Sequence, residues 1–274
     1  MTLSFDRTEW GLVLGGSSGF GLATAAALAR RGMSVAVVHR DRRGAMPTIE
    51  QAFDHIRACG TGFLAFNTDA LSNEGLVRVL DGVSVAMGDS GRVRALVHSI
   101  AFGNLKPLVH PHGAPQNPAE AVLDDDDFDR TVRAMGTSLA TWAQAVHARR
   151  LFAADARVFG LTSEGNEVAW RGYAAVAAAK AALESVSRAI AVEFGPYGVR
   201  SNIIQPGVTD TPALRLIPGS DRMKASARQR SPLGRLTTPE DVADVICLLC
   251  TDEARWVNGA LLRVDGGEHI AGGP

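Results

Sequence analysis

Leu12-Val13-Leu14-Gly15-Gly16-Ser17-Ser18-Gly19-Phe20-Gly21 is the stretch on which the reading of this chain turns. It opens with an apolar run, Leu12–Gly15, and leads into Phe20–Arg31, where apolar residues recur at helical spacing. Between strand and helix the glycines fall as Gly-x3-Gly-x-Gly. A turn of this kind lets backbone come close to a phosphate, whose charge is favoured by the free amides and dipole of the helix N-terminus. Gly15, Ser17, Ser18, Gly19, Phe20 and Gly21 are therefore candidates to hold the pyrophosphate of a dinucleotide. The spacing is not the common G-x-G-x-x-G, and glycines at a tight strand-to-helix turn can also serve structure alone.

Outward from this unit the alternation repeats. Apolar runs at Val35–His39, Phe63–Asn67, Val93–His98, Arg157–Leu161, Val199–Ile204 and Ala260–Val264 predict strands. Helical spacing at Thr48–Cys59, Asn73–Met87, Asp125–Phe152, Tyr173–Phe194 and Pro239–Thr251 predicts helices between them. Such a sequence predicts an α/β fold, a doubly wound parallel sheet of seven strands with helices on both faces. The strands lack polar alternation, as expected when both faces are buried. No linker or internal repeat divides the 274 residues, so a single domain is expected.

Two irregular stretches follow strands. Gly103–Asp124 is rich in proline, histidine and acids, and Pro212–Pro232 carries Arg215, Arg222, Lys224, Arg228 and Arg230. Ligands of open α/β sheets bind outside the carboxyl ends of strands, so both stretches could border a site. The alternative for each is a solvated surface loop.

Composition narrows the class. With 46% apolar residues the chain can bury a sizeable core, and a net charge of −1 gives no reason to expect a nucleic acid or an anionic membrane as partner. Three cysteines make no disulfide framework and fit a reducing compartment. Cys247 and Cys250 form a CxxC, but within the helical pattern DVICLLC they read as buried thiols. The opening MTLSFDRTEW lacks the basic-then-apolar form of a secretory signal, and no apolar run approaches the ~20 residues of a membrane span. A soluble cytoplasmic protein is expected. His110 and His112 form an HxH without a clustered acid or cysteine, so no metal site is expected.

Tyr173 and Lys180 lie seven apart on a predicted helix, nearly two turns, and so share a face. An ammonium near a phenol stabilises phenolate and would lower the tyrosine pKa toward the working range. The other tyrosine, Tyr197, sits beyond the helix in the GPYGVR turn.

The glycine loop, with a match over nearly the whole chain, resembles the short-chain dehydrogenase/reductase superfamily, although Leu14 stands where that family usually has threonine. The resemblance implies a Rossmann-type domain, a nicotinamide cofactor, and a homotetramer packed through Asp125–Phe152 and Tyr173–Phe194. It implies the adenosine ribose at the end of the second strand, where His39 and Arg40 stand, with Arg42 and Arg43 nearby. No carboxylate there repels a 2′-phosphate and guanidinium groups could clamp one, so NADP(H) is favoured and NAD(H) stays open. Asp69, followed by Ala70, matches the family aspartate expected to contact the adenine. Lys180 would also hold the nicotinamide ribose. Pro206, Gly207 and Val208 resemble the loop that contacts the nicotinamide carboxamide, with Thr211 near the phosphates.

Most of the superfamily has Tyr-x3-Lys, and that tyrosine position is Val176 here. Tyr-x6-Lys resembles the bacterial enoyl-acyl carrier protein reductases. A reason for the shift lies in the chemistry. In ketone reduction hydride enters the carbon whose oxygen is protonated, whereas in enoyl thioester reduction it enters the β carbon while charge develops on the more distant thioester oxygen. His98-Ser99-Ile100-Ala101-Phe102 also resembles the His-Ser-Ile segment of the enoyl reductases, with Ser99, Ile100 and Ala101 beside the cofactor. His98 itself reads as a strand-end residue with a structural hydrogen bond. Ser163 instead matches the catalytic serine of ketone reductases, and the family's relay asparagine has no counterpart near Arg133–Gly136.

The expected reaction is reduction of the C=C bond of a 2-enoyl thioester. Tyr173 would stabilise the enolate, Lys180 would hold ribose and phenol, and Ser163 would orient substrate. The alternatives are a carbonyl reductase or alcohol dehydrogenase, and a non-catalytic nucleotide-binding protein. An apolar cleft with a basic rim at about residues 210–232 would suit an acyl chain carried by an acidic acyl carrier protein or by coenzyme A.

Overall fold

The structure is a computed structural model that describes residues 3–110, 112 and 122–272. Its elements run β1 (Glu9–Leu14), α1 (Gly19–Arg30), β2 (Ser34–His39), α2 (Met46–Arg57), β3 (Phe63–Asn67), α3 (Asn73–Met87), β4 (Arg92–His98), α4 (Asp125–Val132), α5 (Ser138–Ala148), β5 (Phe152–Leu161), α6 (Ala174–Glu193), β6 (Val199–Pro206), α7 (Pro212–Arg215), α8 (Ser220–Arg230), α9 (Pro239–Leu249) and β7 (Leu261–Val264). The seven strands are parallel, in the order β3-β2-β1-β4-β5-β6-β7.

Both faces of the sheet's central strands are buried, which is why those strands read as continuous apolar runs. Leu12 and Leu14 of β1, Leu96 of β4 and Val158 of β5 face Leu80, Trp142 and Leu183 of α3, α5 and α6. Val13, Val97 and Phe159 point the other way, toward Leu28, Phe53 and Ile246 of α1, α2 and α9. The chain winds outward from β1 to β3 and then returns to place β4 beside β1, pairing Leu14 with His98. At this switch point two loops leave neighbouring strands in opposite directions and open a crevice.

At the opposite end of the sheet, Asp155 gathers Arg94, Arg157 and Arg200. Arg157 also donates to Leu249 O at 2.8 Å and Arg94 to Cys250 O at 2.6 Å. These guanidinium groups satisfy carbonyls that the end of α9 leaves free. Cys247 and Cys250 are buried there without disulfides, and burial pushes the Cys247 thiol up to about 12.

The structure corrects the sequence reading in three places. The predicted helix Asp125–Phe152 is interrupted by a π-helical turn, Arg133–Thr137, and stops at Ala148, because Arg150 adopts φ 56° and turns the chain into β5. At the π-turn Gly136 packs so close to α6 that a Cβ would stand 2.8 Å from Ala179 O. β5 starts at Phe152, five residues before the predicted strand, since Asp155 masks its apolar run. The irregular stretch Pro212–Pro232 contains α7 and α8. Ala227 is the one buried residue of α8, so the helix has no apolar stripe to betray it.

Candidate active site

A cleft of about 990 Å³ crosses the carboxyl ends of β1, β2, β4, β5 and β6, from the glycine loop to α8. Gly15, Ser17, Ser18, Gly19 and Phe20 line one end. Gly15 has φ +81° and lies so close to the β4 loop that a Cβ would be 2.4 Å from Ser99 O. Ser18 is the N-cap of α1 and makes no side-chain capping bond, leaving first-turn amides available to an anion. The residues present therefore fit a pyrophosphate. Gly21 is not among the lining residues; a Cβ there would stand 2.2 Å from Gly15 O, so its place is in the packing of the turn.

His39, Arg40, Asp69 and Ala70 also line the cleft. His39 turns inward, buried against Phe53, with Nδ1 2.9 Å from Asp41 Oδ2. Arg40 lies over the Phe102 ring and donates to Asp69 Oδ2 at 3.0 Å. Asp41, which the sequence reading did not weigh, also borders this end, so a carboxylate stands beside the arginines after all. Asn67 holds it there by accepting from Asp41 N at 3.1 Å and donating to Asp41 O at 3.0 Å. Arg42 and Arg43 are exposed and do not line the cleft.

Ser99, Ile100 and Ala101 form the middle of the cleft, and Pro206, Gly207, Val208 and Thr211 its far wall. His98 is enclosed below them. Ser138 Oγ donates to Ala134 O at 3.0 Å and so accepts from His98 Nε2 at 2.7 Å. Burial, helped by the charge of Lys180, pushes the His98 pKa down to about 3, so the ring is neutral and structural.

Tyr173, Lys180 and Ser163 meet in this cleft. Gly172, at φ +76°, turns the chain so that Tyr173 is the N-cap of α6 rather than a residue within it. Ser163 Oγ is 3.4 Å from the Tyr173 hydroxyl. Ser163 is held by its neighbours: Thr162 Oγ1 and Asn166 Nδ2 both donate to Glu184 Oε1, at 2.7 and 2.5 Å. Lys180 Nζ donates to Leu161 O at 2.6 Å, and burial lowers its pKa to about 8 against the opposing pull of Glu184.

The expected depression of the Tyr173 pKa does not occur. Burial raises it, outweighing the Ser163 hydrogen bond, and the Lys180 ammonium is directed at Leu161 O. Tyr173 is a neutral phenol, able to donate a proton or hydrogen bond to an oxygen in the cleft.

The basic rim is also altered. Arg215 makes two bonds to Asp210, Lys224 pairs with Asp210 and Asp221, and Arg230 pairs with Glu268. Among the described residues only Arg222 and Arg228 of the five lack a carboxylate partner, and Arg222 lines the cleft. Of Gly103–Asp124, Gly103 and Leu105 line the cleft, while residues 111 and 113–121 lie outside the described residues. Among the described residues no group of three His, Cys, Asp or Glu could hold a metal ion, and no helix is long and apolar enough to cross a membrane.

Residues 15–269 match the model of the family described as Enoyl-(Acyl carrier protein) reductase. The chain is 30% identical over 272 residues to a 1-cyclohexenylcarbonyl-CoA reductase of Streptomyces collinus, covering 98% of this chain and 90% of that one. It is 30% identical over 256 residues to a cis-4-hydroxycyclohexanecarboxylate dehydrogenase of Sinomonas cyclohexanicum, covering 93% and 94%. A short-chain dehydrogenase from Burkholderia cenocepacia, solved in complex with NADP, superposes with a TM-score of 0.77 at 27% identity over 97% of this chain and 99% of that one. With this cleft at the switch point of a seven-stranded parallel sheet, the chain belongs to the short-chain dehydrogenase/reductase superfamily of oxidoreductases, in the family described as Enoyl-(Acyl carrier protein) reductase.

Proposed function

We propose that this enzyme reduces the C=C bond of a 2-enoyl thioester, with NADPH as the preferred cofactor. The observation that carries the reading is the place of the phenol. Tyr173 sits before the first turn of α6, seven residues ahead of Lys180, and the nearer position is filled by the buried aliphatic Val176. The cofactor supplies hydride when bound. Tyr173 donates to the thioester oxygen and stabilises the enolate that forms when the β carbon is reduced. Ser163 orients the phenol and the oxygen it serves. Lys180 lends positive charge beneath them and holds the nicotinamide ribose. The first turn of α1 binds pyrophosphate, and Arg40, with Arg42 and Arg43 nearby, favours a 2′-phosphate despite Asp41.

The relative named for reducing 1-cyclohexenylcarbonyl-CoA supports this reading. Exposed Arg222 and Arg228 suit an acidic carrier protein or coenzyme A. A homotetramer using the long helices around α5 and α6 is consistent with the small exposed residues Ala178, Ala181 and Ala189 of α6. Three cysteines without disulfides agree with the cytoplasm.

A second reading, carbonyl reduction, draws on the 3.4 Å approach of Ser163 to Tyr173 and on the relative named as a hydroxycyclohexanecarboxylate dehydrogenase. Oxidation of NADPH and NADH against crotonyl and acetoacetyl thioesters separates the two. Turnover of crotonyl thioester, lost in Tyr173→Phe, is expected. Turnover of acetoacetyl thioester alone refutes enoyl reduction, and a function intact in Tyr173→Phe would mark a non-catalytic nucleotide-binding protein.

A further inference from the structure

The turn after β7 folds one carboxylate back into the protein. Gly266 and Gly267 take φ +62° and +87°, and the Asp265 carboxylate accepts from Gly267 N at 2.9 Å and from His269 N at 3.1 Å. Glu268, between those two amides, is 4% exposed, and both of its side-chain oxygens are bonded. Oε2 accepts from Val208 N at 3.0 Å, and Oε1 accepts from Arg230 Nη2 at 2.7 Å. A buried carboxylate paired in this way holds its partners firmly.

The two partners belong to different parts of the site. Val208 stands with Pro206, Gly207 and Thr209 in the loop after β6 that lines the cleft and resembles the loop that meets a nicotinamide carboxamide. Arg230 ends α8, whose Arg222, Met223 and Ser226 line the same cleft. Gly207 leaves room for the carboxylate, since a Cβ there would stand 2.8 Å from Glu268 Oε2 and 2.5 Å from Thr237 Oγ1.

Little else holds α8. Ala227 is its one buried residue. Lys224 reaches Asp210 at 3.4 Å, but that carboxylate is 42% exposed, and exposed pairs contribute little. Glu164 Oε1 stands 3.9 Å from Arg230 Nη2, beyond hydrogen-bond reach. A helix without an apolar stripe needs such an anchor to keep its place at the cleft.

We propose that Glu268 is a positioning residue that ties α8, beside the substrate, to the loop that meets the nicotinamide, and so keeps substrate and hydride donor in register. The inference rests on the hydride-transfer reading of this cleft and adds to it a residue that does not line the cleft. The bond to Val208 N serves the cofactor side and the bond to Arg230 the substrate side, so the two can be cut separately.

Arg230→Met keeps the apolar stem and cuts the α8 side alone, Arg230→Lys keeps the charge, and Glu268→Ala cuts both sides. Each is assayed with whichever of crotonyl and acetoacetyl thioester turns over, and NADPH affinity is measured by fluorescence titration. Arg230→Met is expected to raise the thioester KM by about fivefold or more, with the NADPH Kd within about twofold of wild type. Arg230→Lys should bring KM back to within about twofold of wild type, because an ammonium still pairs with the carboxylate. Glu268→Ala should raise KM and Kd together. If that variant does not fold, Glu268→Gln takes its place; it keeps an acceptor for Val208 N and loses the charge that holds Arg230, so it should raise KM alone. An unchanged KM in Arg230→Met overturns the proposal. A loss of NADPH affinity in that variant as large as its loss in KM also overturns it, by marking a loosened fold. If neither thioester turns over, the reaction reading fails on these substrates and the tie is read by trypsin. With NADPH saturating, cleavage after Arg222 and Arg228 should be about fivefold or more faster in Arg230→Met than in wild type, and equal rates overturn the proposal.

Discussion

At position 180 the chemistry of the cleft and the stability of the fold pull in opposite directions, and Lys180→Met separates them. Lys180 is 6% exposed, and its ammonium has one hydrogen-bond partner in the structure, Leu161 O at 2.6 Å. Burial lowers its pKa from 10.5 to about 8. At ~1.4 kcal/mol per pH unit, keeping the buried amine charged costs about 3 kcal/mol at neutral pH. Methionine keeps the apolar stem and removes the charge, but it deprives Leu161 O of its donor, a loss of about 1 kcal/mol. The variant should therefore be about 1–2 kcal/mol more stable than wild type at about pH 7 while losing turnover. The sign of the pH dependence is fixed. The folded pKa lies below the unfolded one, so between about 8 and 10.5 the unfolded chain holds a proton that the native chain has released. Wild-type stability rises with pH across that window, and the margin of the variant should shrink toward about pH 10. Urea unfolding at the two pH values reads both. A variant less stable at neutral pH, or a margin that does not change with pH, refutes the assignment of a strained buried charge.

Gly165→Ala should push the Tyr173 ring, 2.3 Å from the added Cβ, and lower kcat by about tenfold or more with NADPH affinity unchanged; steady-state kinetics and cofactor titration check it. Asp155→Asn should destabilise by about 3 kcal/mol, because Arg157, 0% exposed at its side chain, loses its carboxylate. Burial would raise the Asp155 pKa, but Arg157, Arg94 and Arg200 hold it below the ordinary value. Its stabilisation is therefore present above about pH 4 and lost as pH falls further, so unfolding curves of wild type and variant should converge in acid. Charge reversal at Arg222 and Arg228, the rim cations without carboxylate partners, should raise KM for a carrier-bound substrate in a salt-dependent way; an unchanged KM removes the basic-rim reading.

Sequence carried the fold furthest where one physical cause dominated. β2 read close to its observed bounds because a strand buried on both faces leaves an unbroken apolar run. The glycine loop was legible because a φ of +81° at Gly15 and the contact of Gly21 with Gly15 O each exclude a side chain. The π-turn at Arg133–Thr137 was not legible, since it answers to the approach of α6, about forty residues on. Nor was α8, whose residues are mostly exposed. That Tyr173, Lys180 and Ser163 share one cleft could be expected from the family resemblance, but their protonation could not. The Tyr173 phenol is set by burial, and the Lys180 ammonium donates to a carbonyl of β5, Leu161 O.

Those protonation states bear on the direction of reaction. A dehydrogenase needs a base to take the alcohol proton, and a phenol with a raised pKa is poorly suited to that near neutrality. A reductase needs a donor, and the same phenol supplies one across the whole neutral range. The group that changes state near working pH is Lys180, at about 8, whose positive charge supports the oxygen that becomes negative. Reduction at saturating NADPH should therefore be level below about pH 8 and decline above it as the ammonium is lost. The same profile in Ser163→Ala, at a lower plateau, would separate orientation by serine from the electrostatic part played by lysine. Reduction that climbs with pH through this range would mean that the working form of the site is the phenolate, and that burial does not govern Tyr173.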